Sequence, residues 1–179
     1  VYLSRGGMPG MFAVRSESER ESLIKDWLEL TTARDILTFK TIKADQDLCY
    51  AILEQIAVLE EPIAANISRV LRKDSRRIQT YLKMLTELFV IHPLPAHPTG
   101  TGKTQYFLCD VAIARELGAN FERQLYTWIV LENLSQRAYR DDRDNGLYYY
   151  KSTKGSIIHL VVQDKAKNCM LLNYSRWRV

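Results

Sequence analysis

The 179-residue sequence predicts an α+β chain with helices first and strands later. Three observations carry this. Apolar residues recur at helical spacing behind capping residues from Ser16 to Leu88. Two strand-like runs then flank a Gly/Thr-rich turn at 95–103. After Gly118, one long helical pattern precedes three short strand-like runs.

Residues 16–38 read as a helix. Ser16 or Ser18 can cap it, Glu19 to Glu21 occupy the first turns, and Leu23, Ile24, Trp27, Leu28 and Leu30 recur on one face. Asp45 can cap a second helix bearing Leu48, Ile52, Ile56 and Leu59. Pro62 suits the first turn of a third, where its missing N–H costs nothing, with Ile63, Ile67, Val70 and Leu71 facing inward. Asp74 can cap a fourth, with Ile78, Leu82, Leu85 and Leu88 inward. Leu88–Pro93 and Gln105–Asp110 read as strands around a turn from Pro95 to Lys103. Three helices and a hairpin is the winged-helix order, a variant of the helix-turn-helix. Residues 119–138 read as a helix with Phe121, Leu125, Ile129, Leu131 and Leu134. Asp141–Gly146 is a polar turn. Leu147–Ser152, Ile157–Gln163 and Asn168–Tyr174 are strand candidates.

Composition sets the class. Hydrophobic residues at 46% and charged residues at 26% fit a globular chain rather than a disordered one. No apolar run reaches the roughly 18 residues of a membrane span, and residues 1–10 lack the pattern of a secretory signal. Cys49, Cys109 and Cys169 are odd in number and widely scattered. They build neither a disulfide framework nor a zinc site, so they are expected to be small buried apolar residues in a cytoplasmic protein. The chain begins at Val1 in mid-pattern and reads as a piece of a longer protein.

Charge is local. Between Pro62 and Val90, the six basic residues Arg69, Arg72, Lys73, Arg76, Arg77 and Lys83 face only Asp74 and Glu87. The +4 of this stretch equals the net charge of the whole chain. A local basic excess suits a polyanion, although a solvated helix face is the plain alternative. With the fourth helix as a recognition helix, Arg72, Lys73, Arg76, Arg77, Thr80 and Lys83 become candidate DNA contacts, with Lys103 on the wing.

Pro98-Thr99-Gly100-Thr101-Gly102-Lys103-Thr104 resembles the phosphate loop of P-loop ATPases, where backbone N–H groups and a helix N-terminus hold phosphates. Its context opposes that reading. Pro93, Pro95 and Pro98 break the approach, and Gln105-Tyr106-Phe107-Leu108 reads as strand where a helix must follow. Gly102, Lys103 and Thr104 are therefore expected to form a hairpin tip without nucleotide.

The order of motifs resembles the C-terminal half of a prokaryotic group of AAA-type P-loop ATPases. In that group, an ATPase module precedes a winged helix and a restriction-endonuclease-like domain. Tyr2-Leu3 with Gly6-Gly7-Met8-Pro9 resembles the Gly-Gly-aromatic-Pro element of the ATPase lid, and Arg34-Asp35-Ile36 the close of the next helix. Ser75–Leu85 resembles the second conserved helix of the winged helix, and Tyr106-Phe107 with Asp110 its Tyr-Phe-x-Asp strand. Glu132-Asn133 and Tyr149-Tyr150-Lys151-Ser152 resemble the opening helix and first strand of the last domain. The resemblance implies an upstream module that holds ATP and magnesium, and no cofactor in this chain.

It also implies a lost nuclease site. Such nucleases hold magnesium through an Asp and a Glu on adjacent strands, with a Lys two residues after the Glu, and a helix Glu often assists. The helix Glu falls on Glu132. The strand Asp falls on His159, and the Glu-x-Lys on Leu171-Leu172-Asn173. Glu132 and His159 are thus vestigial candidates, with no catalytic residue and no metal ligand set expected.

The sequence therefore predicts a lid remnant (1–44), a winged helix (45–117) and a small, truncated, degenerate nuclease-like α+β domain (118–179). The expected role is non-catalytic interaction with DNA or a protein partner, coupled to the ATPase module of the same parent chain, without a membrane. The rivals are an active hydrolase, with ATP at Lys103-Thr104 or a metal at Glu132 and His159, and a free-standing winged-helix regulator dimerising through 118–179. Bland readings remain for Tyr148–Tyr150 as half-buried strand, for Asp141, Asp142 and Asp144 as a solvated turn, and for Arg176, Trp177 and Arg178 as a fraying end.

Overall fold

The computed structural model describes residues 2–39, 45–139, 146–164, 166 and 169–173. The fold is α+β: helices dominate the first two thirds, and the strands form two small antiparallel sheets. The expectations for Asp141, Asp142, Asp144, Arg176, Trp177 and Arg178 lie outside the described residues, as do Asn168 and Tyr174 at the ends of the last predicted strand.

A short helix, α1 (Tyr2–Arg5), opens the chain. α2 (Glu17–Ala33) starts where Ser16 accepts a bond from the Glu19 N–H. It stops at Ala33, short of the predicted 38. Arg34 turns the chain into one tighter turn, Asp35–Thr38, which buries Ile36. α3 (Gln46–Val58) is capped by Asp45 through the Leu48 N–H, as expected. Tyr81 fixes that end, because its hydroxyl accepts from the Asp45 N–H at 2.7 Å.

α4 (Ala64–Leu71) begins later than predicted. Pro62 stays extended outside the helix, and its carbonyl accepts from the Tyr106 N–H at 3.1 Å, so that 62–63 runs beside the later hairpin. Val70 was expected inward and is 47% exposed: on so short a helix, the buried side is set by Ile67. Arg72, at φ 51, reverses the chain into α5 (Ser75–Glu87). Asp74 caps α5 through the N–H groups of Arg76 and Arg77. Its inner face is Ile78, Tyr81, Leu82, Met84 and Leu85.

Leu88 does not start a strand. The chain leaves α5 through Phe89, held at φ 58, while the Val90 N–H bonds the Leu85 carbonyl and the Phe89 N–H that of Thr86. This pair of bonds normally selects glycine at the left-handed position. Phe89 is 74% exposed, so its ring returns little contact for the strain. Phe89→Gly is therefore expected to raise stability by about 0.5–1 kcal/mol, the left-handed cost of a side chain less glycine's extra entropy. A denaturant titration would show a higher midpoint at unchanged slope.

β1 (Ile91–Leu94) and β2 (Gln105–Leu108) form an antiparallel hairpin, pairing Ile91 with Leu108 and His92 with Phe107. Both of its faces are covered. Ile91 and Leu108 join the first core with Ile24, Leu28, Ile52, Leu53, Ile78 and Leu82. Leu94 and Phe107 join the second with Tyr126, Val130, Leu147, Tyr149 and Leu160. The proposed lid remnant and winged helix thus share one core.

α6 (Val111–Glu116), absent from the prediction, follows directly, capped by Asp110. α7 (Phe121–Tyr139) then leads to a sheet of order β3 (Gly146–Lys151), β4 (Ile157–Gln163) and β5 (Cys169–Leu172). Phe121, placed among the apolar helix positions, is 65% exposed at the first turn. Tyr149 is buried between half-buried Tyr148 and Tyr150, as expected of strand residues. Cys49 is buried and Cys109 half-buried, whereas Cys169 is exposed because β5 lies at the edge of the sheet. No helix among the described residues is long and apolar enough to cross a membrane.

Candidate nucleic-acid interface

α4 and α5, joined by the three-residue turn 72–74, carry the basic excess on their outer side. Arg72, Lys73, Arg76, Arg77 and Lys83 are exposed and Thr80 is half-buried. The structure sorts them. Arg77 donates to Asp45 at 3.0 Å, and Lys83 lies 3.8 Å from Glu87. Among the described residues, no acidic side chain pairs with Arg72, Lys73 or Arg76. Thr80 donates its hydroxyl to the Arg76 carbonyl at 2.9 Å. Successive helical residues turn about 100°, so Arg76, Thr80, Lys83 and Glu87 share one stripe. Gln79 is exposed on that stripe and was missed. Its spacing of three from Arg76 and four to Lys83 is the periodicity signal that could have found it.

Lys103 does not join this stripe in a free wing. The turn between β1 and β2 lies against β3. The His97 N–H donates to the Tyr149 carbonyl at 2.7 Å, the Tyr149 N–H to that of Pro95 at 3.1 Å, and the Thr101 N–H to that of Lys151 at 2.9 Å. The Tyr149 hydroxyl donates to the Lys103 carbonyl. Burial raises its pKa, with a weaker opposing effect from a Gln105 hydrogen bond. Gly102 leaves no room for a Cβ against that phenol. Lys151 also pairs with Glu61 just before α4.

In Gly102-Lys103-Thr104, the residues that follow form strand β2. The Gly100 N–H bonds the His97 carbonyl and the Thr101 N–H that of Lys151, so both donors are already engaged within the protein. The geometry of a phosphate loop, with a helix N-terminus after Lys-Thr, is not the one formed.

Two of the motifs behind the ATPase resemblance meet in space. The Gly7 N–H donates to Asp110 Oδ2 at 2.6 Å, and Asp110 Oδ1 accepts from the Ala112 N–H at 2.7 Å. Gly6, at φ +70, has no space for a Cβ against that carboxylate. Asp110 is 3% exposed.

Glu132 and His159 are not brought together. Glu132 accepts from Gln136 at 2.9 Å and lines a cleft of about 370 Å³ with Tyr2, His92, Cys109 and Ser135. Burial, then the charges of Asp110 and Glu132, raise the Tyr2 pKa; burial, then Asp110, push the Cys109 thiol up to about 12. His159 instead contacts Tyr126, whose hydroxyl donates to its carbonyl at 2.7 Å, and its Nδ1 lies 3.0 Å from Asn173 Oδ1. Burial lowers its pKa, partly offset by Asn173 and Glu60. Tyr126 and Glu132 are six residues apart, about 240° around α7, so they leave the helix in different directions. His159 on β4 and Asn173 just past the end of β5 do sit side by side, at the positions to which the resemblance assigns the Asp and Lys of a nuclease. Among the described residues, no group of three or more His, Cys, Asp or Glu could hold a metal ion.

A family model described as "Domain of unknown function (DUF8612)" matches residues 1–124. No curated protein and no solved structure matches the chain.

Proposed function

The chain belongs to the domain family of unknown function DUF8612, and we propose that it is a non-catalytic DNA-interaction region that docks α5 on duplex DNA. The observation that carries this reading is the outer side of the α4–α5 unit, where Arg72, Lys73 and Arg76 are exposed with no acidic partner among the described residues. Phosphates supply the complementary charge. In this proposal, the region belongs to a longer AAA-type ATPase whose own module binds ATP and magnesium. The contact of Gly7 with Asp110 supports that part, because it joins the two elements the resemblance pairs. The helix-turn-helix and hairpin act as a winged helix whose wing is held by the third unit. The last unit is a scaffold: with Glu132 directed into the α1–β1–α7 cleft and His159 held by Tyr126 and Asn173, its described residues present no paired carboxylates for hydrolysis.

A titration of labelled duplex at several salt concentrations tests this. Each phosphate contact adds about −0.9 to the log–log slope, so Arg72→Ala with Lys73→Ala is expected to flatten the slope by about 1.8 and weaken all duplexes alike. Arg76→Ala with Arg77→Ala is also expected to weaken binding. Absence of binding at 50 mM salt would replace DNA with a protein partner.

A further inference from the structure

We propose that α5 reads sequence, with Arg76 on a guanine and Gln79 on an adenine of neighbouring base pairs; this rests on the DNA reading above. Both side chains are exposed, and no partner ties up either of them among the described residues. Both are side-chain types that meet base edges bidentately in the major groove: Arg to guanine O6 and N7, Gln to adenine N6 and N7. Their separation of three residues advances about 4.5 Å along the helix, a little over one base step of about 3.4 Å. Thr80 has committed its hydroxyl to the Arg76 carbonyl, which leaves its methyl to meet a thymine methyl. The flanks define the footprint. Arg77 is drawn sideways to Asp45, and Glu87 ends the stripe with a charge that phosphate repels. Readout is therefore confined to the first two turns of α5. Arg72 and Lys73, in the turn before it, hold the backbone without reading bases.

Selection of the full chain on a randomised duplex library tests this. The wild type is expected to enrich a site with guanine and adenine on adjacent pairs. Arg76→Ala should lose the guanine preference and Gln79→Ala the adenine preference, by about 5- to 150-fold at that position alone. Both changes are at exposed positions, and unchanged circular dichroism would confirm folding. Equal binding of all duplexes by the wild type, or preferences retained in the variants, would overturn base reading and leave the DNA reading standing. Absence of any duplex binding would overturn both.

Discussion

Phe107→Ala is expected to remove about 3–5 kcal/mol of stability, enough to unfold a marginal protein, with a large drop in the urea midpoint as the readout. Phe107 is fully buried on the hairpin face turned to the second core. Its ring meets Tyr126 edge-on at 4.8 Å, and the Arg123 guanidinium lies 4.2 Å above it. Arg123 is itself 6% exposed and donates to the carbonyls of Ile56 and Tyr106. Truncation therefore leaves a cavity and strips the aromatic face from a buried cation. Phe107→Leu, which keeps most of the volume, should cost clearly less. Equal costs for the two variants would show that the retained volume contributes nothing and that the lost aromatic face beside Arg123 carries the whole effect.

Asp110→Ala should cost about 2–4 kcal/mol, combining a lost helix cap at the buried Ala112 N–H with the lost part-buried bond to the Gly7 N–H. The carboxylate bonds Ala112 at the start of α6 and Gly7 in the N-terminal segment. The loss should appear locally as faster amide exchange at Gly7 and Ala112 together. Gly6→Ala supplies the converse test, because its Cβ collides with the same carboxylate and its φ of +70 is strained for alanine. Fast exchange at Ala112 alone would mean that the N-terminal segment is held by other contacts.

Much of the helical half was legible because its signals are local. Ser16, Asp45 and Asp74 cap the helices they were expected to cap. Val70 misled because apolar spacing within eight residues does not fix which side packs. α6 was hidden because Val111-Ala112-Ile113-Ala114 is buried all round and shows no amphipathic period. Pro62 was assigned to a helix because its partner, Tyr106, lies far along the chain. The candidate interface was partly legible: the stripe on α5 follows from periodicity, but its sorting depends on Asp45, 32 residues away from Arg77. The docking of the Gly-Thr-Gly-Lys-Thr turn on β3 is wholly long-range and left no local mark.

The hairpin filled on both sides bears on how the molecule comes apart. β1 and β2 are a party wall: Ile91 and Leu108 belong to one room, Leu94 and Phe107 to the other. Taking away either room lays bare an apolar surface that water cannot wet, so neither half is an autonomous module. Heating should melt the two together, and a cut at 117 would sever neighbours that share a wall.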